Sequence, residues 1–473
     1  MLNKLRSSRF VRDSAILQGS GGIVSGCQVL TSVLLASQLG SDGMGLHFTA
    51  VKIYALYFML LNVGIASAAI SQIGGAVTRG QSDKIADWQA FTVKSYVLIG
   101  VFLFVAGFWV LPSLVPLVTD EAYEELGRWA WWLCLSPLFD IGRVLAQITF
   151  QGTRRMAYLA RLEVGTEVGR LSLIAFAVFV FGTPQAAVLA TLFSCLIGSA
   201  IGLSLYRRAA NDGQGTALPS LGTIASRVRA VPLRVGMRLG IRLGLLRSID
   251  ALAFDVFPPL VLFVLGVHAS ELEQPERWVA YFSMAQRFMM VPAVLLSGVA
   301  RTALPALSGV AGLKDPEAFR RGFIRISVFG GLISLVGIVA ALFALPYLLW
   351  FLQEFFWLPN DYSEPVNQLA WILAIGYALK GFSGGLETFY IVANRLRVTL
   401  VITTVSMMMA MPMLVYLTLK LPTTGPAWSI NANYGVVFLH LAYIVWFFRS
   451  GQYRSLFRDG SSAPVASAPA VKS

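Results

Sequence analysis

The sequence predicts an all-α membrane protein, with twelve transmembrane helices in two six-helix lobes related by a pseudo-two-fold axis along the membrane normal. Three observations predict it. The 473-residue chain is 56% hydrophobic and only 13% charged, where a soluble chain is near a quarter charged. Apolar runs recur from end to end, each long enough to cross about 30 Å of hydrocarbon as a helix. The second half of the chain also repeats the first.

The spans fall at roughly 14–38, 46–75, 88–111, 129–151, 156–181, 184–206, 238–266, 278–310, 322–351, 366–391, 397–419 and 426–448. Runs near 30 residues imply tilt or projection beyond the bilayer. The connections alternate in charge. Basic residues mark the N-terminus (Lys4, Arg6, Arg9, Arg12), the second connection (Arg79, Lys84) and the fourth (Arg154, Arg155). They also mark the long sixth (from Arg207 to Arg247), the eighth (Lys314, Arg320, Arg321), the tenth (Arg395, Arg397) and the C-terminus (Arg449, Arg454, Arg458, Lys472). The first and fifth have no Lys or Arg, and the eleventh has only Lys420. The third, seventh and ninth are acidic, with Asp120, Glu121, Glu124 and Glu125, then Glu271, Glu273 and Glu276, then Glu354, Asp361 and Glu364. The positive-inside rule then places both termini of this multi-pass protein in the cytoplasm. An odd number of spans would break the alternation.

The formal charge of +13 therefore marks topology and anionic lipid headgroups. It is scattered over many short loops, which argues against nucleic acid. Cys27, Cys134 and Cys195 lie inside spans and read as small core residues, with neither disulfide nor metal spacing. The first span is long and broken by glycine, so it reads as a retained helix rather than a cleaved signal. The chain divides into an N-lobe (1–206), a basic cytoplasmic linker with an interfacial helix (207–237), a C-lobe (238–450) and an Ala/Ser/Pro-rich tail (451–473) expected to be disordered.

The repeat carries this division. Phe48 to Ile85 aligns without gaps to Phe282 to Phe319, so that Gly64 meets Gly298, Ala69 meets Ala303, Gly75 meets Gly309 and Asp83 meets Glu317. A second block matches Trp131 to Trp371, Leu133 to Leu373 and Arg155 to Arg395; a third matches Arg12 to Arg238 and Gly40 to Gly266. Six spans per half make the repeats parallel, with a cleft between them suited to alternating access. At the join, Arg234, Arg238 and Arg242 form one helical row with glycines opposite, which suits a helix at the cytoplasmic interface. That row serves either an anionic headgroup or topology alone.

The segment Ala36-Ser-Gln-Leu-Gly-Ser-Asp-Gly-Met-Gly-Leu46, a span, and then Ile73-Gly-Gly-Ala-Val-Thr-Arg-Gly-Gln-Ser-Asp resemble the N-lobe of the polysaccharide transporters. These are the Wzx-type O-antigen flippases of the multidrug/oligosaccharidyl-lipid/polysaccharide (MOP) superfamily. Ala303-Leu-Pro-Ala-Leu-Ser-Gly-Val-Ala-Gly-Leu-Lys-Asp-Pro-Glu-Ala-Phe-Arg320 resembles its C-lobe counterpart. The resemblance covers nearly the whole chain and implies a MATE-like arrangement with spans one, two, seven and eight nearest the central axis. The lipid II flippases of that superfamily carry two further C-terminal spans, which this chain lacks.

Polar residues inside the spans are the candidate site, because ionised groups facing lipid are costly. On span four, Ser136, Asp140, Arg143 and Gln147 form one stripe; on span ten, Gly376, Lys380, Ser383 and Glu387 occupy the aligned positions. Span five adds Glu163, Glu167 and Arg170. Depth counted from the hairpin turn predicts Arg143 with Glu163 or Glu167, and Asp140 with Arg170. Such a network either pins helices or relays a proton or sodium ion. Near the axis that the resemblance implies, span one offers Gln28, span two Lys52 and Asn62, span seven Arg247, Asp250 and Asp255 before Pro258-Pro259, and span eight Arg287 and Arg301. Cations there suit a diphosphate, since guanidinium binds phosphate bidentately and stays charged. Snorkelling to the headgroups is the bland alternative for Lys52, Arg287, Arg247 and Arg301; for the two aspartates it is pairing with those arginines.

The leading reading is a flippase for undecaprenyl-diphosphate-linked oligosaccharide, working by alternating access as a monomer. Anionic lipids and polysaccharide polymerases are its expected partners, H+ or Na+ its only candidate coupling species, and it needs no further cofactor. A cation-coupled MATE-type multidrug antiporter is the alternative, and its cleft should be acidic and aromatic. A membrane-embedded glycosyltransferase or ligase is disfavoured: the outer loops are short, His47, His268 and His440 are scattered, and no catalytic or metal pattern appears.

Overall fold

The structure, a computed structural model, describes residues 9–61, 64–212, 216–233, 236–237, 251–268, 274–292, 316–383, 386, 389–390, 393 and 395–453. Each of the twelve spans contains helix, and there is no strand among the described residues. Seven helices are long and apolar enough to cross a membrane alone. A bent pair makes a further crossing, and the other spans are built from shorter or kinked pieces.

Spans one and two are one continuous helix, Arg9–Leu61, bent at Gly40 where φ is 69° and ψ −178°. Only glycine adopts that conformation without strain, so the first connection needs no loop. Span two ends in a separate helix, Ile65–Thr78, where the sequence suggests one run. Span three is Ser82–Val118. Span four is broken into Glu124–Leu133, Ser136–Phe139 and Ile141–Gly152, with a 51° bend. Pro137 and Asp140 mark the break, and the Ser199 hydroxyl from span six bridges it. It donates to the Phe139 carbonyl (2.5 Å) and accepts from the Gly142 amide (3.0 Å). Backbone freed inside a membrane must find such a partner. The span four stripe is therefore split: Ser136 turns to the Tyr54 hydroxyl, while Asp140, Arg143 and Gln147 stay together.

Met156–Phe181 and Pro184–Asn211 complete the N-lobe, the latter capped by Thr183, whose hydroxyl accepts from the Ala186 amide at 3.3 Å. A short linker helix, Leu221–Arg227, then docks on the basic end of span three. Arg227 reaches Asp83 (2.6 Å) and Asp87 (2.9 Å), and these hydrogen bonds raise its pKa. Lys94 donates to the Arg229 and Val231 carbonyls (3.1 and 2.9 Å). The row of Arg234, Arg238 and Arg242 has no described side chain.

The C-lobe runs through residues 251–268 and 275–292, then Pro316–Phe356, Ser363–Ser383, Leu396–Lys420, Gly425–Tyr434 and Val436–Arg449. Spans three, nine and eleven turn large apolar side chains outward, among them Trp109, Phe343 and Met408. A lipid-facing helix needs that surface.

The two ends of the molecule differ. At the end bearing the acidic connections, one hydrophobic cluster joins both lobes, with Val33, Met44 and Phe48 against Phe263, Phe282 and Tyr362. Asp42 meets Arg277 through two hydrogen bonds (2.5 and 3.2 Å), Tyr123 donates to Glu276 (3.1 Å), and His268 contacts the Val118 carbonyl (2.9 Å). The lobes touch so closely here that a Cβ on Gly45 would lie 1.9 Å from the Glu276 carbonyl oxygen. At the linker end, the described residues form a separate cluster in each lobe. One holds Leu17, Phe150, Leu159 and Tyr206 of the N-lobe with Ile224 of the linker; the other holds Phe319, Phe323, Phe389 and Phe447 of the C-lobe.

Candidate functional site

Below the joined end, spans two, seven, eight and ten bring charged side chains together. Lys52 of the N-lobe forms an ion pair with Asp255 of the C-lobe at 2.5 Å. Asp255 sits in a π-helical turn, Leu252–Val256, directly before Pro258-Pro259. Pro258 has no N–H to give the Phe254 carbonyl, and the Gln286 amide of span eight supplies the missing bond at 2.8 Å. The widened turn projects the Asp255 side chain toward Lys52; that side chain is 46% exposed while touching the opposite lobe. The carboxylate thus borders the space between the lobes.

One turn of span eight holds the most informative group. The Arg287 guanidinium lies over the Phe48 ring of the N-lobe, 4.9 Å from its centroid. Among the described residues it has no carboxylate partner and no hydrogen bond. Asp255, Arg170 and Glu167 lie within Coulombic reach of it. Lys380 of span ten lies over two further rings, Tyr377 (5.7 Å) and Tyr434 (5.8 Å), and Tyr434 stacks on Phe254 at 4.2 Å. Asp255 is within Coulombic reach of Lys52, Arg287 and Lys380 alike. Among the described residues, Lys52, Arg287 and Lys380 thus gather around Asp255.

The N-lobe charges are arranged differently. Arg143 donates to Asp140 on its own helix (2.6 Å from Nε) and to Gln147 (3.0 Å). Arg170 pairs with Glu167, also three residues back. The sequence suggested pairs across the hairpin; the structure forms them along each helix, because i, i+3 neighbours meet without any tertiary fit. Asp140 is 14% exposed and Glu167 11%, so neither carboxylate is spread on a lipid-facing surface. Glu163, a turn before Glu167, is half-buried and engaged as well. Gln28 is half-buried beside Cys27, which feels Glu167 and Arg170. Asn62, Arg247, Asp250, Arg301 and Glu387 lie outside the described residues. Among the described residues no group of three His, Cys, Asp or Glu side chains could hold a metal ion.

Sequence reasoning placed Lys380 in a buried network and overlooked Phe48, Phe254, Tyr377 and Tyr434. An aromatic in an apolar run carries no signal of its own. The single trace was the repeat, in which Phe48 meets Phe282 and Lys52 meets Gln286.

Two helical lobes joined at one end are a fold also seen in solved structures. The eukaryotic MATE transporter AtDTX14 superposes with a TM-score of 0.71 at 16% identity, over 95% of this chain and 99% of that one. An outward-facing multidrug resistance MATE family transporter of the MOP superfamily gives 0.69 at 14% identity, over 96% and 98%. An inward-facing one gives 0.67 at 15%, over 93% and 96%. Sequence comparison with curated proteins finds no match. Residues 10–310 match the polysaccharide biosynthesis protein family, and the chain belongs to that family.

Proposed function

We propose that the protein moves a diphosphate-linked lipid oligosaccharide from the cytoplasmic to the outer leaflet of a bacterial inner membrane. Both termini are cytoplasmic in this reading. The end joined by Asp42–Arg277 and Tyr123–Glu276 is then the outer one. The sugar and diphosphate enter the space between the lobes while the polyprenyl tail stays in lipid.

The observation that carries the proposal is Arg287. A guanidinium with no carboxylate partner among the described residues is costly to keep inside a membrane and suits an anionic ligand with complementary geometry. Among the described residues, Lys52 and Arg287 beside a single aspartate disfavour a cationic drug as cargo. The test is flipping of a fluorescent polyprenyl-diphosphate oligosaccharide in proteoliposomes. Arg287→Gln should slow it about 10- to 100-fold, from the 1.5–3 kcal/mol of a charge-assisted hydrogen bond. Unchanged flipping in that variant, or efficient export of an organic cation such as ethidium, contradicts the reading.

A further inference from the structure

We infer that Phe48 is a positioning residue for anion binding: its ring supports the Arg287 guanidinium from the opposite lobe without neutralising its charge. The inference rests on the lipid-diphosphate reading of Arg287. Lys52, Arg143 and Arg170 are each neutralised by a carboxylate. Arg287 instead meets an aromatic ring at 4.9 Å.

The two kinds of partner have different consequences for an anion. A carboxylate occupies the fork of N–H donors and cancels the charge, so phosphate must displace it. A ring attracts the cation without cancelling its charge or accepting its N–H donors in the way a carboxylate does. The ring can hold the side chain in place and still be compatible with a bidentate phosphate.

Phe48 is well fixed for this task. It is 3% exposed, belongs to the hydrophobic cluster that joins the lobes, and is met edge-on by His47 at 5.5 Å. Because ring and guanidinium come from different lobes, the support exists only while the lobes are together at this level. Parting them there withdraws the ring from Arg287. Anion affinity is therefore highest in the joined state and falls when the outer end opens, which favours release on that side.

The test is equilibrium binding of a short-chain polyprenyl diphosphate to the full-length protein in nanodiscs, at matched folded fraction, for wild type, Phe48→Leu, Phe48→Tyr, Arg287→Gln and the double variant Phe48→Leu/Arg287→Gln. Phe48→Leu should weaken binding roughly 2- to 30-fold, the range of a cation–π contact. Phe48→Tyr should stay within about 2-fold of wild type, and Phe48→Leu should add nothing on the Arg287→Gln background. Wild-type affinity in Phe48→Leu overturns the inference. So do equal losses in the Leu and Tyr variants, or additive losses in the double variant, since either marks a packing role. If Arg287→Gln weakens binding and Phe48→Leu does not, only the positioning role falls. If Arg287→Gln binds like wild type, the diphosphate reading falls with it.

Discussion

In the N-lobe, Arg143 and Arg170 lie against carboxylates three residues back on their own helices. In the C-lobe, Arg287 and Lys380 lie over the rings of Phe48, Tyr377 and Tyr434. An i, i+3 pair is closed within one helix and travels with it through any movement of the lobes. A cation on a ring keeps its charge for a third party. The difference separates two uses of charge at membrane depth. The N-lobe pairs let spans four and five carry polar residues through the bundle, and in the proposed function Arg287 is the cation that meets the cargo.

The comparison breaks first at Arg143. Arg143→Gln leaves Asp140 buried without its partner and should cost about 3 kcal/mol or more of stability. Thermal unfolding of the purified protein reads this as a lower midpoint. The double variant Asp140→Asn/Arg143→Gln, which removes both charges, should recover most of the loss. Next comes Arg287→Gln, which removes a charge that has no carboxylate to strand. Its unfolding midpoint should match or exceed wild type while flipping falls. That combination marks a group retained for function at a cost in stability.

The joined end sharpens the comparison at smaller scale. Gly45→Ala puts a methyl group into the Glu276 carbonyl and should disfavour the joined state by about 1–3 kcal/mol, as overpacking does. Thiol labelling of a cysteine near the joined cluster, applied from outside, should speed up. The Asp42–Arg277 pair is partly exposed on both sides, so breaking it should shift the same labelling by only about 0.2–1 kcal/mol. The charge swap Asp42→Arg/Arg277→Asp should restore it. Smallest of all is the effect of pH. Burial, then the Glu276 carboxylate, pushes Tyr123 up to about 12, and the Asp42 hydrogen bond raises Arg277. Groups with raised pKa values hold their contribution until pH climbs through the folded value. Labelling should therefore stay constant from about pH 7 to about pH 9 as far as these two groups govern it.

Much of the architecture was readable from the sequence. Apolar run length, loop charge and the repeat are summed over many residues, so they survive local exceptions. The break in span four was not readable, because it depends on Ser199 arriving from span six to satisfy the freed backbone. Pairing partners were misjudged for a similar reason. Matching charges by depth assumed that the hairpin brings them together, whereas the nearer carboxylate on the same helix needs no such fit. Phe48 was invisible because nothing in an apolar run tells a ring that packs from a ring that holds a cation. The exchange of Lys52 for Gln286 in the repeat was legible, yet Gln286's task of serving the carbonyl that Pro258 leaves open required coordinates.

The most direct measurement is flipping rate per folded molecule, side by side, for Arg287→Gln and for Asp140→Asn/Arg143→Gln in the same proteoliposomes. The account predicts that the first variant loses most of its rate while the second keeps a rate close to wild type. A second variant that is inactive although folded, or a first that is fully active, would contradict the division of labour between the lobes.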